Sequence, residues 1–312
     1  MSELTQSQPK RRLRRLWQAL RQNPITIKEL RSRMRGRRAF VVLTVYLFLM
    51  SGFISLIYLA YAESAGSYGP DPRDAGKVVF SAVLGIQVFL VIFVGPSFTA
   101  GAVTGEKERQ TYDLLRTTLL SANAFVGGKL LSALSYVFLL IFAAVPLQSI
   151  AFLLGGVSLI ELVLSQVLVL VAAVTFAMYG LFCSAALRST MAASVLTFAG
   201  TFFVTAGIPI IVGIFLTFLG PILYSSSSLS WVGEMALALG GLALAATNLP
   251  ATLIVSDIFL IQEDALFFFK NSFGAHAVWL PSPWLWFLLL YILLALLLYW
   301  LAVRKVRKIA NR

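Results

Sequence analysis

The run Gly105-Glu106-Lys107-Glu108-Arg109 lies between two segments apolar enough to cross a bilayer, and that juxtaposition constrains the chain more than any other feature. A charged side chain at a bilayer centre costs about 2.5 to 3.5 kcal/mol even on lenient insertion scales. Four in succession belong in water, and the flanking segments belong in lipid. A span takes about 20 apolar residues, and by that measure 39–61, 78–99, 130–154, 162–187, 191–219 and 284–303 each read as a crossing. With 59% hydrophobic and 12% charged residues, the chain carries more apolar surface than a soluble fold of this length needs. The expected fold class is an all-α integral membrane protein with six transmembrane helices over 39–303.

Six is even, so both termini share a side, and charge says which. Of the 25 Lys and Arg residues, 22 fall before residue 39, in the 104–129 loop, at Arg188 or after residue 303, against Arg73, Lys77 and Lys270 on the other face. Basic residues collect on the cytoplasmic side, so both termini are expected there. The net charge of +12 is therefore a topology signal and a surface for anionic headgroups, and no nucleic-acid role is assigned. The basic segment 1–38 is patterned. Leu13, Leu16, Trp17 and Leu20 share one helical face among arginines, which predicts an amphipathic interfacial helix. Asn23 and Pro24 open a second short helix bearing Ile27, Leu30 and Met34. Ala60-Tyr61-Ala62 has the small-x-small form of a cleavage site, but the apolar stretch before it is too long for a signal peptide. The tail 304–312 is basic and expected in the cytoplasm.

The charged loop itself predicts a helix from about Glu106 to Leu119. Glu106, Arg109, Asp113 and Arg116 then line one face, with opposite charges three or four residues apart, and Tyr112, Leu115 and Leu119 line another. A two-faced helix at a membrane surface needs a partner, either the chain's own spans or a second protein. The sequence Gly105-Glu106-Lys107-Glu108-Arg109-Gln110-Thr111-Tyr112-Asp113-Leu114-Leu115, with Leu120-Ser121 and Gly128-Lys129 after it, resembles the ABC-2 type permeases of ATP-binding cassette transporters. It departs from the family pattern at Gln110, where glycine is usual, and at Leu119, where proline is. Asn23-Pro24-Ile25 and Lys28-Glu29-Leu30 are similar to the family's entry into span one. The resemblance implies a coupling helix over about 104–121, through which Glu106, Arg109, Tyr112, Asp113, Leu115, Arg116 and Leu119 meet a separate ATPase subunit. It also implies a second permease subunit, as homo- or heterodimer, and a place in a bacterial or archaeal plasma membrane.

This chain carries no nucleotide site of its own. Gly127-Gly128-Lys129-Leu130 superficially resembles a phosphate loop, but Asn123 and Leu130 stand where Walker A needs glycine and a hydroxyl. ATP is thus expected on the partner, with no cofactor on this chain. One histidine, His276, and one cysteine, Cys183, offer no metal cluster, catalytic dyad or disulfide, which disfavours a membrane-embedded enzyme. Polar residues in the spans are sparse: Gln87, Gln148 and Gln166, with Glu161 at an outer end. They are candidates for a substrate pathway, suited to an amphipathic cargo, and interhelical hydrogen bonding explains them equally. Pro96, Pro146 and Pro209 mark bends. A secondary transporter or channel is the alternative class, disfavoured by the lack of intramembrane charges and internal repeats. Import is disfavoured because no importer-type E-A-A-x-x-x-G loop is present.

Residues 231–261 are nearly as apolar as a span, yet one crossing there would put the basic tail outside. Asn248-Leu249-Pro250 divides them into two short arms. The expected form is an outer re-entrant hairpin over about 229–262, its turn approaching the outside, with two full crossings as the alternative. Trp284 and Trp286 at one end of the last span, and Tyr299 and Trp300 at the other, are expected to form aromatic belts.

Overall fold

A computed structural model describes residues 37–64, 71–110, 121–225, 230–262, 266–273 and 276–310. The two amphipathic helices expected before residue 37 lie outside the described residues. Within them, six helices are long and apolar enough to cross a membrane: Phe40–Ser64, Pro72–Glu108, Ala122–Leu153, Leu159–Ala186, Thr190–Phe218 and Pro283–Lys308. They fall on the six apolar segments of the sequence, so the protein is an all-α integral membrane protein.

Local chemistry sets where the helices begin. The first, α1 (Arg37–Ser64), is followed by α2 (Pro72–Ala100), where Asp71 accepts from the Arg73 amide at 2.9 Å with Pro72 at the first helical position. A short α3 (Thr104–Glu108) precedes α4 (Ala122–Ala143), capped by the Ser121 hydroxyl. Pro146 follows the break at Ala144 and opens α5 (Val145–Leu153). Ser158 and Glu161 form a reciprocal capping box at the start of α6 (Leu159–Ala186). The fifth span is α7 (Thr190–Phe202), one π-helical turn (Phe203–Gly207) and α8 (Ile208–Ser225). Two short helices, α9 (Trp231–Ala245) and α10 (Leu249–Gln262), lead to strands β1 (Phe268–Phe273) and β2 (His276–Pro281) and the last span, α11 (Pro283–Ala310).

The core is built on α6, which packs against α2 on one side and α11 on the other. Val91, Val137, Leu168, Phe287 and Tyr291 are buried in its main cluster, while Val103, Phe125, Leu181 and Ala302 form a second cluster toward the charged loop. The Phe40–Ser64 and Thr190–Phe218 helices are only 6% and 11% buried over their most apolar windows, against 28% to 50% for the other four. These two spans therefore turn most of their apolar surface outward.

The segment 231–261 divides where the sequence places the break. At 1.5 Å per residue α9 and α10 are each roughly 20 Å long, short of the ~30 Å hydrocarbon core. Their turn lies against other helices of the bundle. Asn248 is buried, and its amide Nδ2 donates to the carbonyls of Val204 at 2.9 Å and Thr205 at 2.8 Å. Its Oδ1 accepts from the Ala251 amide at 3.0 Å, and the Tyr291 hydroxyl donates to the Thr247 carbonyl at 3.0 Å. The cause is the π turn. Pro209 has no N–H to give Thr205, and the Ile208 amide bonds Phe203 rather than Val204. Both freed carbonyls need a donor inside the bundle, and Asn248 supplies it.

Two differences stand at this end. The β1–β2 hairpin, paired antiparallel with Phe269 opposite Leu280 and Phe273 opposite His276, was assigned no element from the sequence. It buries Phe269, Phe273 and Leu280 beside Leu242, with the rings of Phe259 and Phe269 stacked at 4.0 Å. Trp284 does not stand in an aromatic belt: it is buried, and its Nε1 donates to the Leu266 carbonyl at 2.7 Å. Trp286 and Trp300 are exposed.

The start of α2 lies directly on the turn between α5 and α6. A Cβ at Gly76 would stand 2.8 Å from the Ala151 carbonyl oxygen, and one at Gly156 would stand 2.5 Å from the Lys77 amide. Gly156→Ala is therefore expected to force two backbone segments apart, at about 1 to 3 kcal/mol, and to lower the thermal unfolding midpoint of the detergent-solubilised protein. Gly85→Ala is the control, because a Cβ there meets nothing within 4 Å. Equal midpoints for the two variants would refute the close-approach argument.

Candidate functional site

The charged loop is where the sequence concentrates polar chemistry, and each of its first three charged residues reaches a different span. Lys129 of α4 donates from Nζ to Glu106 Oε1 and lies 5.5 Å from the centre of the Phe125 ring. Lys107 donates from Nζ to the carbonyls of Ala185 at 2.9 Å and Leu187 at 3.0 Å, with Ser184 at 3.4 Å. Those are end carbonyls of α6, which lack intrahelical donors and carry the negative end of the helix dipole. Glu108 does the converse at the start of α7: its carboxylate accepts from the Thr190 amide at 2.7 Å and the Thr190 hydroxyl at 2.6 Å. These two bonds hold the Glu108 carboxyl below the usual carboxylate range, while burial lowers the Lys107 ammonium. The same economy runs backward, since the Ser184 hydroxyl accepts from the Val103 amide at 2.9 Å and the Thr104 amide at 3.0 Å, at the start of α3.

Glu106-Lys107-Glu108 is thus a three-way fastening of the second span to the loop ends of α4, α6 and α7. Nearby, α2, α6 and α7 meet closely at Gly180, where a Cβ would be 3.2 Å from Thr197 Cγ2 and 3.3 Å from the Pro96 carbonyl oxygen.

The continuous helix expected over 106–119 is corrected. The helix begins earlier, at Thr104, and ends at Glu108; Gln110 adopts φ +55°, in the left-handed region that terminates a helix. Glycine, usual at this position in the family the loop resembles, adopts that geometry without strain. Arg109 is exposed and follows the last residue of the helix. Tyr112, Asp113, Leu115, Arg116 and Leu119 lie outside the described residues. Sequence reasoning missed Lys107, Glu108, Lys129, Ser184 and Thr190 as site residues. Adjacent opposite charges suggested a solvated helix face, whereas their partners lie 23 to 82 positions away.

The candidate pathway residues Gln87, Gln148 and Gln166 are brought together from α2, α5 and α6. Gln148 and Gln166 each donate from Nε2 to Gln87 Oε1 at 3.0 Å, Gln166 donates also to Gln148 Oε1 at 2.8 Å, and Gln87 donates to the Ile141 carbonyl at 3.1 Å. All three are buried. Amides buried without partners are costly, and here they bond one another across three helices, with Gln166 Oε1 left without a partner among the described residues. Among the described residues no group of three or more His, Cys, Asp or Glu side chains could hold a metal.

Six apolar helices around a buried core, with charge gathered at one loop and turned inward to bind helix ends, define a polytopic membrane protein. The profile of the ABC-2 family transporter proteins matches residues 23–259, and the chain belongs to that family of transport permeases. No curated protein matches it.

If Glu106 and Lys129 fasten the loop to α4, Glu106→Gln and Lys129→Met should not add. Their double-mutant cycle is expected to show a coupling of about 1 to 3 kcal/mol in unfolding free energy. Additivity within about 0.5 kcal/mol would place the pair among contacts without energetic weight.

Proposed function

We propose that this chain is the membrane-spanning subunit of an ABC exporter, working as a dimer with two separate ATPase subunits that bind and hydrolyse the ATP. Both termini lie in the cytoplasm, the segment 104–121 docks in a groove of the ATPase, and α9–α10 form a re-entrant pair entering from the outer face. The single observation that carries the coupling role is the fastening of Glu106, Lys107 and Glu108 to three spans. A displacement of this segment by a closing ATPase would be delivered to α4, α6 and α7 together. The outward apolar faces of α1 and α7–α8 support association with a second permease subunit in the membrane. Gln87, Gln148 and Gln166, turned on one another, serve this reading as a fixed joint rather than an open path.

The test separates docking from transmission. Tyr112→Ala with Leu115→Ala is expected to remove docking contacts of about 1 to 2 kcal/mol each and to reduce co-purification of the ATPase without impairing membrane insertion. Lys107→Ala should leave co-purification intact yet lower hydrolysis by the assembled complex. The isolated chain should neither bind nor hydrolyse ATP. Undiminished co-purification with the Tyr112/Leu115 variant, or specific hydrolysis by the chain alone, would sink the proposal.

A further inference from the structure

Between α2, α6 and α10 lies a cavity of about 440 Å³, distinct from the charged loop and from the glutamine cluster. Its walls are apolar, with Phe80, Leu84, Val88, Leu164, Leu168 and Leu253 prominent. One end is charged. Glu161, in the first turn of α6, and Asp257, toward the C-terminal end of α10, both line it. Lys77 pairs with Asp257 at 3.1 Å. Glu161 accepts from the Ser158 amide at 3.2 Å, and among the described residues no ion pair neutralises it. The two carboxylates and one ammonium therefore leave one negative charge at the head of an apolar slot. From Glu161 to Leu168 the slot follows α6 for seven residues, roughly 10 Å.

A second observation points to an occupant. Ser256, 2% exposed, also lines the cavity, and among the described residues its hydroxyl has no hydrogen-bond partner. A buried hydroxyl without a partner is costly, and a polar head seated between Glu161 and Asp257 is placed to meet it. Gly85 adds room, since it faces the cavity and a Cβ there meets nothing within 4 Å.

We infer that this cavity binds a long-chain amphiphile with an ammonium head, its chain along the α2–α6–α10 wall and its cation against Glu161 and Asp257. A bilayer phospholipid with an ethanolamine head and a free long-chain amine share this chemistry. Glu161→Gln removes the charge while keeping the capping box that starts α6, and Gly85→Phe fills the slot from an open position.

The experiment is native mass spectrometry of the full chain in neutral detergent. One arm offers phosphatidylethanolamine and phosphatidylglycerol of identical acyl chains; the other offers dodecylamine and dodecanol. The ammonium-headed member of a pair is expected to be retained roughly tenfold better. Glu161→Gln should abolish most of that preference, and Gly85→Phe should remove the adduct, each with the elution profile of the parent. Preference in the lipid arm assigns the occupant to the bilayer, and preference in the amine arm alone assigns it to a free amine. Equal retention within both pairs, or an adduct unchanged by Gly85→Phe, overturns the inference. No ATPase takes part, so failure here is separable from failure of the exporter proposal.

Discussion

Every backbone donor and acceptor in the bilayer-facing part of this protein must find its partner inside the protein, and the irregular features of the fold follow from that demand. Pro209 removes one amide from the fifth span, a π turn displaces another, and two carbonyls are left over. The carboxamide of Asn248 takes both. That one side chain explains why α9 and α10 turn inside the bundle, where the Tyr291 hydroxyl secures the adjoining Thr247 carbonyl. A break that looks destabilising in each segment separately becomes a contact between them.

The charged loop obeys the same rule at helix ends. The last carbonyls of α6 receive Lys107, the first amide of α7 is received by Glu108, and the first amides around α3 are received by Ser184. Charge here completes other helices' hydrogen bonding. It also ties the loop to three spans, which exposed i, i+4 pairs on a solvated helix, contributing only about 0.3 to 0.5 kcal/mol each, would not do.

The large elements were legible because hydropathy is a strong, local signal: six apolar runs gave six helices, and Asn248-Leu249-Pro250 marked the one division within 231–261. Two caps went unread although their signals are local, since Ser158 and Glu161 have box spacing and Pro72 follows Asp71. The site was legible in position but not in wiring. Glu106, Lys107 and Glu108 are adjacent in sequence, and nothing in their spacing names Lys129, the end of α6 or Thr190 as partners. The helix over 106–119 failed at Gln110, where a local left-handed turn overrides charge periodicity. The β1–β2 hairpin escaped because Phe268–Phe273 and His276–Pro281 are short and only partly alternating, beside far stronger helical signals. Trp284 was misread because a hydrogen bond to the Leu266 carbonyl outweighed the usual interfacial preference of indole.

That hairpin has a consequence for how the protein sits in its membrane. Among the described residues β1 and β2 pair only with each other, so the outer rim of each strand presents amides and carbonyls that hydrocarbon cannot solvate. The hairpin is in effect a waterline, setting how deep that end of the bundle can sink. Thickening the bilayer would tilt or stretch the helices below the line before it drowned the strands, so changes in lipid thickness should be felt first by the spans and least by the strands that cap them.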